Sequence, residues 1–222
     1  MCGRFTLTKD MKLIVEYYGL ERGFDHQPRY NIAPSQDILA IVSKQGHKEP
    51  AMLKWGLIPS WAKDKSIGNR MINARAETVD VKPSFARLLK RRRCVIPADG
   101  FYEWKANGQK VPVRFTRKDH GIFSLAGLWD EWVSPEGEAI RSCTIITTMP
   151  NELTQQVHNR MPVILTRQAE QLWLDDSVTD PAILKSLLVP YPAEEMSMYQ
   201  VSRLVNNPAN DRPECIEAVE TG

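Results

Sequence analysis

The chain has 222 residues, 42% hydrophobic and 25% charged, an ordinary globular composition that can bury a core without disulfides or metals. Its formal net charge is only +2, so bulk charge excludes a strongly polyanion-seeking protein, and any nucleic-acid site must be a local basic patch. No apolar run reaches the roughly 18 residues of a membrane span, and MCGRFTLTKD has no apolar signal region, which predicts a cytoplasmic protein with reduced cysteines.

The first element expected is a helix over residues 9–18, capped by Thr8, closed by Gly19 and buried along positions 11, 14, 15 and 18. RYNIAPSQ reads as a loop. Residues 38–42 and 51–57 read as strands of a hairpin joined by KQGHKEP. IPSWAKDKSIGNR is a loop and INAR a short extended piece. Pro83 opens a second helix running to about Arg91. CVIPADGFYEWK and VPVRFT are strands with Asn107-Gly108 as their turn, and IFSLAGLW and RSCTIITT are two more. Residues 166–174 and 181–188 are helical, MYQVSRLV is a last strand, and the tail beyond Asn206 is polar and expected to be partly loose. These elements predict a single α+β domain over residues 1–222, its strands mostly antiparallel and curled around one core.

Several segments carry chemistry. Met1-Cys2 is a start from which the initiator methionine is normally trimmed, leaving Cys2 with a free α-amine beside its thiol. A 1,2-aminothiol condenses with an aldehyde to an imine and then closes a thiazolidine ring; the same cysteine could equally be incidental to a terminus. Asn73 and Arg75 in INARAET share one face of extended backbone, placing an orienting amide beside a phosphate-binding guanidinium. Glu103 lies between Tyr102 and Trp104, where desolvation would raise its pKa and suit proton transfer, although an exposed strand glutamate is the commoner case. His158 in VHNRMPVIL could act as acid and base near neutrality, with Arg160 facing a phosphate. Trp55 and Trp61 among Lys54, Lys63, Lys65 and Arg70 could stack single-stranded bases or simply pack in the core. The four cysteines and four histidines lack metal-ligand spacing, so neither metal nor cofactor is expected. No phosphate-cradling, dinucleotide, nucleophile-elbow or zinc-protease motif is present.

Taken in order, MCGRF, RYNIAP, WGLIPSW, INARAET, ADGFYEWK, HNRMP and VSRLVNN resemble the SRAP family of abasic-site processing proteins over nearly the whole chain. The resemblance implies a compact β-rich α+β fold with a basic channel for single-stranded DNA. It implies covalent capture of the abasic aldehyde by Cys2, shielding the lesion in the DNA damage (SOS) response. Asn73 would sit by the amine, and Glu103 and His158 would process the sugar. Arg4, Arg75 and Arg160 would hold phosphates. Autopeptidase and abasic-site lyase activities are also implied. A bacterial member carries two adjacent tryptophans where this chain has Trp61-Ala62, which leaves the stacking contact to Trp61 alone. A monomer, associated with the nucleoid when bound to DNA, is the default expectation. Two rivals stand: an N-terminal-nucleophile amidohydrolase, in which the Cys2 amine serves its own thiol, and a noncatalytic single-strand-binding module.

Overall fold

The computed structural model describes residues 2–107 and 109–219. In chain order it contains β1 (Phe5–Leu7), α1 (Met11–Tyr18), β2 (Arg29–Ile32), β3 (Asp37–Lys44), β4 (His47–Trp55) and β5 (Asn73–Arg75). Then come α2 (Pro83–Arg91), β6 (Arg93–Ala98), β7 (Gly100–Asn107), β8 (Gln109–Arg117), β9 (Phe123–Val133) and β10 (Ala139–Thr148). The chain finishes with β11 (Met161–Pro162), β12 (Ile164–Leu165), α3 (Arg167–Leu174), α4 (Pro181–Ser186) and β13 (Met196–Gln200).

The strands form two sheets. In the larger one, β10, β4, β3, β6 and β9 follow one another, and a β9–β10 pairing closes the ring into a small barrel. Closure removes the unpaired edges that an open sheet of these apolar strands would expose. β5 and β11 dock on β10, and β12 on β9. All pairings in this sheet are antiparallel except those of β10 with β4 and β5. The smaller sheet runs β13-β8-β7-β1-β2, antiparallel throughout. One buried core spans both sheets, and an edge-to-face contact of Phe5 with Trp55 at 5.3 Å links β1 to β4. The fold is therefore the α+β domain expected, with mostly antiparallel strands curled around one core, and the curl closes into a barrel.

Local departures have local causes. Asp10, not Thr8, caps α1, its carboxylate accepting from Leu13 N, while Thr8 turns its backbone N–H and hydroxyl to Asp99. RYNIAPSQ begins as strand rather than loop. The β3–β4 hairpin is longer than expected because Gln45 and Gly46, both at positive φ, make a two-residue turn that keeps HKEP in the ladder. IPSWAKDKSIGNR contains a 3-10 turn at Lys65–Arg70, capped by Asp64. Gly68 lies so close to Gly56 that a Cβ at either would meet the other's carbonyl oxygen. The expected turn at Asn107-Gly108 includes a residue outside those described. SRLV is a 3-10 turn at Arg203–Asn206, not strand.

The segment after Asn206, expected to be loose, is tied down through Val219. Cys215 is buried, Val201 bridges Ala218, and the Asp211 carboxylate accepts from Tyr30 N and Asn31 N and pairs with Arg29. A polar composition hid these ties, many of which are hydrogen bonds between side chains and backbone, such as those of Asp211 and Asn31.

Candidate active site

β1 delivers the N-terminal residues to the site. It lies between β2 and β7, and its register against β7 pairs Phe5 with Phe101, with Tyr102 N donating to Arg4 O at 2.9 Å. Continuing that antiparallel register brings the residues before Arg4 alongside Glu103 and Trp104. Cys2 is fully buried. Burial, and next the nearby Glu103 carboxylate, push its thiol well above the ordinary thiol range. The thiol is therefore held neutral and waits for a proton acceptor.

Alternation along β7 sorts its side chains. Tyr102 and Trp104 face a small cluster with Val201, Val205 and Tyr199, while Phe101 enters the main core and Glu103 lies on that same side near Cys2. Glu103 is only 4% exposed, and burial lifts its carboxyl to about 7. Its Oε2 lies 4.0 Å from His158 Nε2. Burial pushes the His158 pKa down, so a neutral imidazole faces a carboxyl poised near neutrality. This is a pair suited to moving protons at physiological pH. Arg4, Glu103, Trp104, Lys110, His158 and Asn206 line one open groove of about 560 Å³.

Arg4 is fixed in that groove. Its Nη1 donates to Asn31 Oδ1 at 2.8 Å and Val205 O at 2.6 Å, and its guanidinium lies over Trp104 at 5.6 Å. Trp104 Nε1 donates to Asn206 Oδ1. The buried Asn31 amide in turn donates to Val205, Asn207 and Asn210 carbonyls. Asn31 and Asp211 thus lock the C-terminal segment against β2 and seat Arg4. Neither was marked by the sequence, because their partners lie near the far end of the chain.

β10 brings the remaining residues together. It pairs Ile145 with Asn73 and Thr147 with both Arg75 and Pro162, so β5 and the strand after HNR flank one strand end. Asn73 Nδ2 donates to Ile72 O and Ile145 O, and its Oδ1 is buried without a hydrogen-bond partner among the described residues, an acceptor still available. Arg75 is exposed, as a phosphate contact requires. Arg160, expected to face a phosphate, spends most of its donors elsewhere. It forms a two-pronged pair with Glu77 and donates to Thr147 O. Trp61 is 60% exposed on the loop after β4, whereas Trp55 is core.

Comparison with known proteins bears on this arrangement. Residues 1–208 match the family model described as SOS response associated peptidase (SRAP). The chain belongs to the SRAP family. It is 50% identical to the abasic site processing protein YoqW of Bacillus subtilis, over 98% of this chain and all of that one. It is 31% identical to the abasic site processing protein HMCES of Gallus gallus, over 89% of this chain and 68% of that one. A crystal structure of a protein from Bacteroides thetaiotaomicron superposes with a TM-score of 0.87 at 29% identity, covering 99% of this chain and 100% of the other. The SRAP fold thus carries the groove described above. Among the described residues there is no helix long and apolar enough to cross a membrane and no metal-holding cluster of His, Cys, Asp or Glu.

Proposed function

We propose that this chain processes abasic sites in single-stranded DNA by joining Cys2 covalently to the opened sugar, so that the lesion is shielded during the damage response. The observation that carries the reading is the approach of Glu103 and His158 at one groove, with Cys2 buried near Glu103, in a chain whose relatives are named for abasic-site processing. Hydrolysis of the Met1–Cys2 bond first frees the Cys2 amine, a self-cleavage of the kind the family description suggests. His158 shuttles a proton between the sugar oxygens to open the hemiacetal. The amine nitrogen then bonds to C1, and water leaves as the imine forms. Glu103 relays the protons that the amine gives up to the departing oxygen, so that the imine is neutral when the thiol adds. The thiol sulfur adds to the imine carbon, its proton passing to nitrogen, and the thiazolidine closes. If closure fails, the imine can promote strand cleavage, which is the lyase branch.

Asn73 offers its open Oδ1 to the amine. Arg4, Arg75 and the exposed Trp61 hold the strand through phosphates and one base face, contacts that position DNA without reading sequence. The protein acts in this reading as a cytoplasmic monomer.

The test mixes purified protein with a single-stranded oligonucleotide carrying one abasic site and resolves the products on a denaturing gel. A retarded adduct is expected with the native sequence and none with Cys2→Ala. Cys2→Ser keeps an amine but cannot close a thiazolidine, and is expected to give a reversible imine with strand cleavage. An undiminished adduct from Cys2→Ala overturns the reading. Glutaminase activity without an adduct would favour the amidohydrolase, and binding that survives Cys2→Ala with no covalent product from either form would favour the noncatalytic module.

A further inference from the structure

The loop that carries His158 leaves β10 after Thr148 and returns to it at Met161, the residue that pairs with Thr148. The β10–β11 ladder thus fixes the chain after the histidine. The chain before it is held by Asn151 and Thr154, which grip each other in both directions. Thr154 N donates to Asn151 Oδ1 at 2.8 Å, and Asn151 N donates to Thr154 Oγ1 at 3.1 Å. Reciprocal bonds of this kind satisfy backbone donors that a turn would otherwise strand. Thr154 is 1% exposed and opens the 3-10 turn Thr154–Gln156.

Each residue of the pair also reaches outward. The Asn151 carboxamide donates from Nδ2 to Tyr191 O at 2.7 Å and lies 3.3 Å from Met196 Sδ. Tyr191 and Met196 are buried, so the grip is anchored to the segment running from α4 into β13 rather than to its own loop. On the other side, Thr154 O accepts from Val157 N at 3.0 Å and from His158 N at 2.9 Å. His158 Nε2 lies 4.0 Å from Glu103 Oε2. A continuous path of hydrogen bonds therefore runs from Tyr191 through Asn151 and Thr154 to the backbone of His158.

We infer that Asn151, together with Thr154, is a positioning residue for His158: the pair fixes the backbone from which the imidazole reaches Glu103. Neither residue lines the groove, so the pair acts through the histidine and not on the sugar itself. The inference deepens the proposed crosslinking reaction, and its kinetic arm rests on that reading. The competing role is plain stabilisation. If the pair only fastened the loop to the α4–β13 segment, its loss would lower the melting temperature and leave the surroundings of His158 as they were.

The experiment compares the full chain with Asn151→Ala, Thr154→Val and Thr154→Ser. Valine keeps the shape of threonine and removes only the acceptor, so it serves should Asn151→Ala fail to fold, as checked by thermal melting; serine restores the acceptor. Burial, and next the charge of the chain's N-terminus, hold the His158 pKa below its ordinary value. NMR titration of the ring is expected to show that lowered value in the native protein and in Thr154→Ser. In Asn151→Ala and Thr154→Val it is expected to rise toward about 6.5, as the loosened ring meets water. At saturating abasic DNA these two variants are expected to form the adduct about tenfold more slowly, the low end of what misplacing a proton-transfer group costs. In a His158→Ala background the same substitutions are expected to slow it by less than about twofold, because the group they position is already gone. An unchanged His158 titration in both variants overturns the inference, as does a slowing of equal size with and without His158. If the native protein forms no adduct, the crosslinking reading fails, while the titration still decides the role of Asn151.

Discussion

Two regions of this molecule bury a glutamate, and they do so in different company. Glu170, on α3, is 1% exposed against the barrel. Lys48 Nζ lies 3.2 Å from its Oε1, Arg167 Nη1 reaches both oxygens, and Ser124 Oγ donates to Oε2 at 2.6 Å while itself bonded to Tyr18. Glu103, on β7, is 4% exposed with an imidazole 4.0 Å away, and burial outweighs the opposing charge of the chain's N-terminus in setting its ionisation. The first arrangement fastens a helix to the barrel. The second keeps a carboxyl at the edge of ionisation beside a groove. Burial alone therefore does not mark a working acid; the neighbours that burial leaves to it do.

The largest expected effects come from exchanging the two. Glu103→Gln keeps shape and removes the titrating group, so adduct formation on abasic single-stranded DNA is expected to slow by about 100-fold. Urea unfolding at neutral pH is expected to show no loss of stability. Glu170→Ala is expected to do the reverse, costing about 3 kcal/mol in urea unfolding by stranding Lys48 and Ser124, with the crosslinking rate of the folded fraction unchanged. A Glu103→Gln variant that crosslinks at the native rate would break the comparison.

A somewhat smaller effect appears as a pH dependence. An unfolded-chain glutamate titrates near 4.3, and burial lifts Glu103 in the native state to about 7. Between those values the native protein holds a proton that the unfolded chain has released, so the contribution is complete below the lower value and is lost as pH rises through the upper one. Native stability relative to Glu103→Gln is expected to fall by roughly 2–3 kcal/mol between pH 4 and pH 8. The crosslinking rate is expected to rise through about pH 7, as the carboxylate needed to accept a proton appears, and Glu103→Gln is expected to flatten that limb. A rate that falls across the same range would assign the working form to the protonated acid instead.

What the sequence exposed and what it hid divide along the same line. Local chemistry was legible: Pro83 at the first position of α2 marked its start, and alternation in GFYEW placed Glu103 apart from Tyr102 and Trp104. Closure of the barrel was not, because the parallel pairing of Ser142 with Lys54 joins distant segments without any local signal. At the site, the reacting residues stood inside quotable motifs, whereas their supports did not announce themselves. Glu77 sits within INARAET, yet its partner Arg160 lies 83 residues on. Asn31 and Asp211 act through a carboxamide and a carboxylate whose partners become visible only once the two ends of the chain meet. Arg160 likewise has protein partners, Glu77 and Thr147, that its charge alone did not announce.

The smallest effect concerns Trp61, which tests whether strand binding can be separated from groove chemistry. The loop that carries it is held rigidly: Ile58 N donates to Ser142 Oγ, Ser60 N to Asp130 Oδ2, and Trp132 Nε1 to Ala62 O, each within 2.7–2.8 Å. The indole itself is 60% exposed, so its removal opens no cavity. A platform fixed in this way stacks a base without first paying to order its own loop, and one such contact contributes about 1 kcal/mol. Trp61→Ala is accordingly expected to raise the Kd for an intact oligonucleotide about fivefold in fluorescence anisotropy, with an unchanged melting temperature. At saturating DNA the crosslinking rate is expected to match the native one, because Glu103 and His158 keep their own supports. A loss of rate that persists at saturation would mean that the loop also sets the sugar's approach to Cys2, and the two functions would then have to be treated as one.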